Sequence, residues 1–381
     1  MGHPLHRPPA PGPWSAAVES VGALEPEAWN ALAARAIAPQ PFYGRRAIAA
    51  HQASGLAPAG LAAVVVRGTD GLEAVLPFEL RADVIGLGGT VAQPFLSRLV
   101  TASLPLVAEG PALDDRLDAL VEGLALASGG RCWRWPLLPV AGRLGAGLLA
   151  AMARAGWGVA TVAAFARPVL DRRADHAAFL AGHPHRGRLK DLRRRRRRLG
   201  ESGTLAFVSA TEGPALEQAL EEFLALEAAG WKGAAGTALR CGADTEALAR
   251  ALFRADGAPA VRADLLRLDG RTIAASLALV AGGTAFLLKT AYDEGSRAQA
   301  PGLVLEADIV RALHDTAFAD RLDSATLPGS VLESLYPDRE TIAEILAVPP
   351  GPSLLTLEQR VHLARLAHRA RAEAKRLLGR R

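Results

Sequence analysis

A run of six consecutive arginines, Arg193–Arg198, is the most concentrated group of chemically active side chains in this 381-residue sequence. If the surrounding segment is an α-helix, three leucines form a narrow apolar stripe on it: Leu189, Leu192 and Leu199. The stripe has no leucine one turn before Leu199, and Arg196 occupies that position. We therefore predict that it is partly buried, with its guanidinium group on a partner. Arg193 is on the same side of the helix, and the other arginines form a solvated basic face.

The positive charge of the chain is concentrated in two segments. The formal net charge is +5, but residues 186–198 carry +8 and residues 353–381 carry +6, which leaves −9 for the rest. Two basic segments on an acidic body are weak support for nucleic-acid binding. No helix-turn-helix, zinc-finger or RNA-stacking aromatic motif accompanies the arginines, which argues against sequence-specific reading of DNA.

The sequence gives no sign of a metal site or of a disulfide framework. The two cysteines, Cys132 and Cys241, belong to no CxxC motif. His183-Pro184-His185 lacks a third ligand nearby, so we predict a protein without metal in a reducing cytosol. The GxSxG motif is absent, and we interpret the glycine-rich segment 86–90 as a turn rather than a phosphate loop.

The sequence also lacks segments typical of membrane proteins. No run of about 18 apolar residues occurs that could cross a bilayer. Residues 1–13 are rich in proline and have no apolar core, so we interpret them as a disordered leader rather than a signal peptide. We predict a cytoplasmic protein, with a peripheral position at the inner membrane as the alternative.

Hydrophobic periodicity and turn residues predict that one series of elements occurs twice. In the first half these are a helix, a hairpin around Gly68–Gly71, a strand, a helix that begins with proline, and a strand–helix–strand unit: residues 25–38, 61–81, 104–110, 111–127 and 132–170. In the second half they are a helix, a strand, two helices, three strands, a helix that begins with proline and a strand: residues 177–199, 204–210, 215–231, 244–257, 263–295, 301–316 and 320–327. Duplication of an α/β unit is the simplest explanation.

Two further places put charged side chains beside apolar ones. Lys289 follows four apolar residues in a strand expected to be central, and a buried ammonium group is costly unless it is paired. We therefore expect Lys289 to be paired or functional. Trp231-Lys232-Gly233 follows the amphipathic helix 215–229, and a C-terminal helix cap is one explanation for it.

Several segments, in their order along the chain, resemble the GNAT acyltransferase fold in a tandem arrangement, as in the FemAB-type aminoacyltransferases. In the second half they are the arginine-rich helix before GTLAF, FLALEAAGWKGAAGTAL, LLRLDGRTIAASLAL, KTAYDEGSRAQAPG and DSATLPGSVLESLYPDR. In the first half they are AVLPFEL, SLPLVAEG and WRWPLLP. Residues 179–339 look more specifically like the acetyltransferases associated with cellulose biosynthesis, the CelD type.

The resemblance implies an α/β fold with two tandem GNAT-like domains, each a mixed, mostly antiparallel sheet flanked by helices. We place a degenerate N-terminal domain at residues 14–168, the acyltransferase domain at residues 169–348 and a basic helical extension at residues 349–381. The resemblance also implies acetyl-CoA or another acyl-CoA as co-substrate, with transfer to an amine or a hydroxyl group.

A donor site follows from the same resemblance. In GNAT enzymes two neighbouring parallel strands separate, and acyl-CoA lies between them with its pyrophosphate on N–H groups at the start of the next helix. The matching strands are residues 284–293 and 320–327. The matching helix start is Ala300, Pro301, Gly302 and Leu303. This start retains one glycine of the longer GNAT loop, and the alternative is that Pro-Gly only initiates the helix.

The resemblance places candidate catalytic residues on the separating strands: Lys289, Tyr292, Asp293 and Asp323. Acyl transfer needs a base for the nucleophile and a proton donor for the departing thiolate. Asp293 or Asp323 would be the base and Tyr292 the acid, unless these residues only form turns. We also predict an ion pair between Lys289 and Asp323. Trp231 and Lys232 would lie at the rim of the acceptor cleft.

Alternatives remain for the basic segments and for the function. The arginine-rich helix is a surface paired with acids, a site for an anionic ligand or an anionic lipid surface, or a tRNA-binding face. Arg196 is its candidate substrate contact. The C-terminal helix docks on the body, a membrane or a partner. We expect acyl transfer in envelope or polysaccharide metabolism, and the alternatives are a FemAB-like aminoacyl-tRNA-dependent transferase and a non-catalytic scaffold in a polysaccharide-synthesis complex.

Overall fold

A computed structural model of the chain describes residues 14–254 and 260–378. The predicted leader 1–13 lies outside the described residues. The strands are β1 Ser15–Ser20, β2 Ala62–Gly68, β3 Gly71–Ala82, β4 Thr90–Pro94, β5 Leu106–Val107, β6 Trp133–Pro139, β7 Gly158–Asp171, β8 Leu205–Ala210, β9 Ala260–Leu268, β10 Arg271–Ala281, β11 Thr284–Tyr292, β12 Arg321–Asp323 and β13 Asp338–Val348. The helices are α1 Pro26–Ala34, α2 Arg45–Ala53, α3 Leu113–Ser128, α4 Arg143–Arg154, α5 His176–Gly182, α6 Arg186–Glu201, α7 Gly213–Ala229, α8 Trp231–Ala234, α9 Ala243–Leu252, α10 Pro301–Thr316 and α11 Leu357–Leu378.

The strands form one sheet in which the two halves of the chain repeat the same order. From one edge to the other the order is β1-β2-β3-β4-β6-β13-β7-β12-β11-β10-β9-β8, with β5 beside β3. The predicted hairpins β2–β3 and β9–β10 are present. Most neighbours are antiparallel and helices flank the sheet, which confirms the predicted fold class.

The two halves exchange their last strands. β13 pairs with β6 of the first half, and β7 pairs with β12 of the second half. β7 and β13 also pair with each other, from Gly158 and Val348 at one end to Val169 and Asp338 at the other. The predicted domain boundary after Pro168 therefore falls inside a strand that both halves share. Neither β13 nor β4 is among the strands that the sequence pattern predicts.

Each half contains one parallel pair within this sheet. β4 and β6 pair at Ala92 and Trp133. β11 and β12 pair over Thr284–Phe286 and Arg321–Asp323, after which β12 ends. Because β11 continues for six more residues, a gap opens beside its second part.

The arginine-rich segment folds differently from the single helix predicted over residues 177–199. It forms two helices, α5 and α6, separated at His183–His185, because Pro184 disfavours helical backbone in the residue before it. The leucine stripe of α6 is buried as predicted. His183 is buried too, with Nε2 on the Leu335 carbonyl and Nδ1 accepting from the His185 N–H.

The C-terminal helix α11 docks on the body of the protein. It packs along β7 and β13 and buries Val361 and Ala364. The Arg365 side chain donates to the carbonyl oxygens of Thr161 and Val162, at 3.1 and 3.0 Å. Within residues 14–254 and 260–378, no helix is long and apolar enough to cross a bilayer.

Candidate active site

The gap between β11 and the end of β12 holds a cavity of about 780 Å³. One wall is β11 from Leu287 to Tyr292, and the opposite side is Ser324–Thr326, where the chain leaves β12. Ala325 has a left-handed φ of 52°, which turns the chain away from β11. The first turns of α10, the end of α7 and the start of α8 also line it.

A β-bulge lies where the two strands separate. Leu277 pairs with Lys289 and Ala278 pairs with Leu287, so Leu288 is an extra residue in β11. Such a bulge bends its strand and re-aims the residues that follow. Past it, the Thr290 carbonyl accepts a hydrogen bond from Lys232 Nζ at 2.7 Å.

Lys289 is paired, as the sequence predicts, but with a different acid. Its Nζ lies 2.7 Å from Oε1 of Glu227, near the C-terminal end of α7. The predicted pair with Asp323 is wrong, because Asp323 is buried against β7. There it lies 3.5 Å from Arg167 and accepts from the Ala325 N–H. Burial raises the pKa of Asp323, and Arg167 opposes this effect.

Glu227 is the centre of a charged cluster in the cavity wall. Its side chain is fully buried, and Oε1 also accepts from Lys232 Nζ at 3.4 Å. Its Oε2 accepts from the Leu239 N–H at 2.8 Å. Burial lowers the pKa of Lys232, and the Glu227 charge opposes that effect. One carboxylate thus fixes two ammonium groups that both line the cavity.

Glu227 is not among the site residues predicted from the sequence, although the sequence carries a signal for it. The buried apolar face of α7 runs through Leu216, Leu220 and Phe223, and Glu227 takes the next position of the same face. An acid at a stripe position indicates a buried carboxylate with a partner, by the same reasoning that singled out Arg196.

Trp231 and Lys232 line the cavity at its rim, and they do so from a short helix of their own. α7 ends at Ala229 and α8 begins at Trp231. Trp231 is 57% exposed, and Lys232 Nζ lies 6.0 Å from the centre of its ring. Gly233 permits a close approach of backbone, since a Cβ there would lie 1.8 Å from the Ala228 carbonyl oxygen.

The start of α10 forms the end of the cavity. Ala300, Gly302 and Leu303 line it, whereas Pro301 is buried behind them. A Cβ on Gly302 would meet Tyr292 at 3.5 Å, an ordinary contact, so this glycine chiefly leaves backbone accessible from the cavity. Arg297, which is exposed, lines the same end. A helix N-terminus with a neighbouring guanidinium group is suited to phosphate.

A second buried carboxyl group, also missed from the sequence, lies one turn further along α10. Glu306 is 1% exposed and lines the cavity, and the Tyr336 hydroxyl donates a hydrogen bond to it. Burial raises the pKa of Glu306 to about 7, while the Tyr336 hydrogen bond acts in the opposite direction. A buried carboxyl group with a pKa close to neutrality is suited to proton transfer.

The remaining predicted site residues divide between the cavity and other parts of the fold. Tyr292 lines the cavity. Asp293 instead accepts from the Gly295 N–H and pairs with Arg271 at 2.6 Å. Arg196 lies on the far side of α10, where its Nε is 2.9 Å from Asp308. Asp293, Asp323 and Arg196 are therefore not part of the cavity lining.

A second cavity, of about 440 Å³, adjoins the first between the two halves of the chain. The first half contributes Leu56 and Leu96–Leu99, and the second half contributes residues between Gly236 and Leu248. Thr237 and Lys289 line both cavities. Lys289 Nζ also lies 3.4 Å from the Thr237 carbonyl oxygen, so its ammonium group sits where the two cavities meet.

Part of the chain matches a known family. Residues 186–325 match the acetyltransferase (GNAT) domain family. This segment contains α6, the separating strands β11 and β12, and the start of α10. The match supports an acyltransferase, whereas the finer CelD-type assignment stays a prediction.

Solved structures share the fold of nearly the whole chain. The crystal structure of FemX has a TM-score of 0.56 at 11% identity, with 85% of this chain and 96% of that chain covered. A conserved protein of unknown function from Bacteroides thetaiotaomicron has a TM-score of 0.53 at 14% identity, with 86% and 98% covered. None of the curated proteins matches. At these identities the likeness shows the fold alone.

Proposed function

We propose that this protein transfers an acyl group from acyl-CoA, with acetyl-CoA as the simplest donor, to an amine or hydroxyl acceptor. The observation that carries the proposal is the cavity between β11 and the end of β12, closed at one end by the N-terminus of α10. The match of residues 186–325 to the GNAT domain family supports it.

In this proposal the donor phosphates bind at the start of α10. Gly302 supplies accessible backbone and Arg297 supplies a guanidinium group, both in the cavity wall. The apolar part of the cavity, including Leu287 and Leu303, is suited to the pantetheine chain. Ala300 and Leu303 shape this end, and Pro301 fixes the first turn of the helix from behind.

The charged cluster supplies the polar groups that the reaction needs. The acceptor forms a bond to the thioester carbonyl carbon and loses a proton, and the C–S bond breaks as the thiolate leaves and gains one. Lys289 is placed to stabilise negative charge on the carbonyl oxygen, with Glu227 as its positioning residue. Glu306, with a pKa of about 7, and Tyr292 are the candidates for proton transfer.

The acceptor in this proposal binds in the cavity between the two halves. Ser97 and Arg98 line it from the first half, and Asp244 lines it from the second. These groups are suited to a polar acceptor with hydroxyl or amino groups, such as a saccharide of envelope or polysaccharide metabolism. Lys289, shared by both cavities, would bring acceptor and donor together. A cytoplasmic location is part of the same proposal.

A test is thiol release from acetyl-CoA and longer acyl-CoAs in the presence of a panel of amino sugars, amines and polyols. We expect release that depends on both donor and acceptor and that is lost in Lys289→Met. An exposed first-half variant, Arg154→Gln, is the control for handling and folding. Release that is independent of acceptor, or equal in Lys289→Met, would contradict the proposal.

A second candidate is a FemAB-like transfer from aminoacyl-tRNA, favoured by the exposed arginines of α6. Arg194 and Arg197 are 54% and 73% exposed in their side chains, and each pairs with an acid three or four residues away within the helix. This function requires tRNA affinity that falls steeply with salt concentration. Absent or salt-insensitive tRNA binding would exclude it. A scaffold without chemistry would bind acyl-CoA and release no thiol.

A further inference from the structure

A separate cavity of about 270 Å³ lies on the side of α10 that faces α6. Its floor consists of buried apolar side chains from three helices and a neighbouring turn: Phe179, Leu189, Leu192, Val304 and Leu335. An apolar cavity of about 150 Å³ already holds benzene. This one is therefore large enough for a hydrocarbon chain of medium length.

The mouth of this cavity is positively charged. Arg193, Arg196 and Arg311 line it, and Asp308 is the acid in the lining. Asp308 forms an ion pair with Arg196, whose Nε lies 2.9 Å from Oδ1 of Asp308. Among the described residues, the side chains of Arg193 and Arg311 have neither an ion-pair partner nor a hydrogen-bond partner. Burial lowers the pKa of His176 in the same wall, and the nearby charges of Arg311 and Arg193 act in the same direction.

The cavity continues as a groove along α6. A neighbouring depression shares Leu180, Leu189 and Arg193 with it and is also lined by Arg186 and Lys190. An apolar floor therefore opens toward a surface where Arg193, Arg186 and Lys190 have no ion-pair partner among the described residues. Burying an anion in such a place requires a guanidinium partner, and two are available.

We propose that this cavity is a binding site for a single-chain amphiphile with an anionic head group, such as a medium-chain carboxylate. The chain packs on the floor formed by Phe179, Leu192 and Val304, and the carboxylate binds Arg193 and Arg311. Arg196 stays with Asp308 and shapes the wall. The site is independent of the acyl-transfer cavity, which lies on the other face of α10.

The test is calorimetric titration of the full-length protein with octanoate. We expect saturable binding, weakened about tenfold in Arg193→Gln and in Arg311→Gln, since each removes one charge-assisted contact. Arg198→Gln is the matched control, because Arg198 is exposed on the same helix and does not line the cavity. Its affinity should stay within about twofold of the wild type.

Three comparisons make the result decisive. Octanol tests the need for charge and butyrate tests the need for a chain, and both should bind at least about tenfold more weakly than octanoate. Ala307→Leu narrows the cavity from α10 and should abolish octanoate binding without lowering the unfolding temperature. Equal weakening by Arg198→Gln, or equal binding of octanol, would overturn the proposal. Binding to anionic phosphatidylglycerol vesicles without binding of free octanoate would also overturn it and indicate a membrane surface instead.

Discussion

The two halves of the sheet have the same strand order, but the surroundings of their parallel strand pairs differ: one pair borders a cavity and the other is packed with buried side chains. In the second half, β11 and β12 separate around a cavity of about 780 Å³. In the first half, β6 pairs with β4 at Trp133, and the side chains of Trp133 and of Trp135, two residues further along β6, are both buried. The Trp135 Nε1–H donates to the Ser103 carbonyl oxygen at 2.8 Å, which fixes the preceding loop against the strand.

This difference shows which features of the fold are structural and which are available for chemistry. The exchange of β7 and β13 makes the halves depend on each other for stability. The ionisable groups that line the open gap, among them Lys289, Glu227, Glu306 and Arg297, all belong to the second half. The first half supplies a wall of the adjoining cavity and, through its packed tryptophans, a rigid neighbour.

The largest expected effect is a loss of stability when a buried tryptophan of the first half is removed. Trp133→Ala removes a fully buried indole and should lower the free energy of unfolding by about 4 kcal/mol. Urea unfolding measures this loss, and calorimetry measures acyl-CoA affinity on the folded fraction. The affinity should change by less than about twofold. If the folded fraction of the variant lost more than about twofold in acyl-CoA affinity, the first half would also contribute to donor binding.

The next effect is a loss of activity when Lys289, in the cavity of the second half, is replaced. Lys289→Met should lower kcat/KM for acyl transfer by about 10²–10³, the usual cost of losing one group that stabilises the oxyanion. Because Glu227 then keeps Lys232 and the Leu239 N–H as partners, the fold should remain. Steady-state kinetics and circular dichroism provide the two readouts. Unchanged kcat/KM in a folded variant would remove Lys289 from the mechanism.

A third effect concerns pH. Because folding raises the pKa of Glu306 to about 7, its contribution to stability is present below the unfolded pKa and is lost as the pH rises through about 7. The loss is on the order of 3 kcal/mol between about pH 4.5 and about pH 7. In Glu306→Gln this part of the pH dependence should disappear from urea unfolding curves. Identical curves for wild type and variant would show that Glu306 does not titrate in this range.

The smallest effect concerns the donor phosphates. Arg297→Gln should raise the Kd for acetyl-CoA about tenfold without changing the unfolding temperature, since Arg297 is exposed and its loss costs one charge-assisted contact. Acetyl-pantetheine, which lacks the phosphates of CoA, should bind the wild type and the variant alike. If the variant bound acetyl-pantetheine more weakly to the same extent as acetyl-CoA, Arg297 would act on the shape of the cavity rather than on phosphate.

Local signals in the sequence predicted much of the second half. Tight turns with glycine identified the hairpins, and the leucine stripe predicted a partly buried Arg196, which is 35% exposed in its side chain and paired with Asp308. Arg193, on the same side, is exposed. Periodicity reports the face of a helix, and it does not report how far a neighbouring element extends over that face.

Long-range features could not be predicted in the same way. β13 lies between β6 and β7 because the halves exchange strands, and no local pattern encodes such an exchange. The partner of Lys289 is Glu227, 62 residues away, because the bulge at Leu288 and the course of α7 bring them together. Glu306 likewise acquires its raised pKa only when the fold buries its carboxyl group.

Calorimetric titration with acetyl-CoA tests the central claim most directly, namely that the open gap of the second half is the donor site. The wild type should bind at one site, and Thr290→Trp, which places an indole in the gap, should abolish binding with the unfolding temperature unchanged. Acetyl-CoA binding that persists at the same affinity in Thr290→Trp, or its absence in the wild type, would contradict the account.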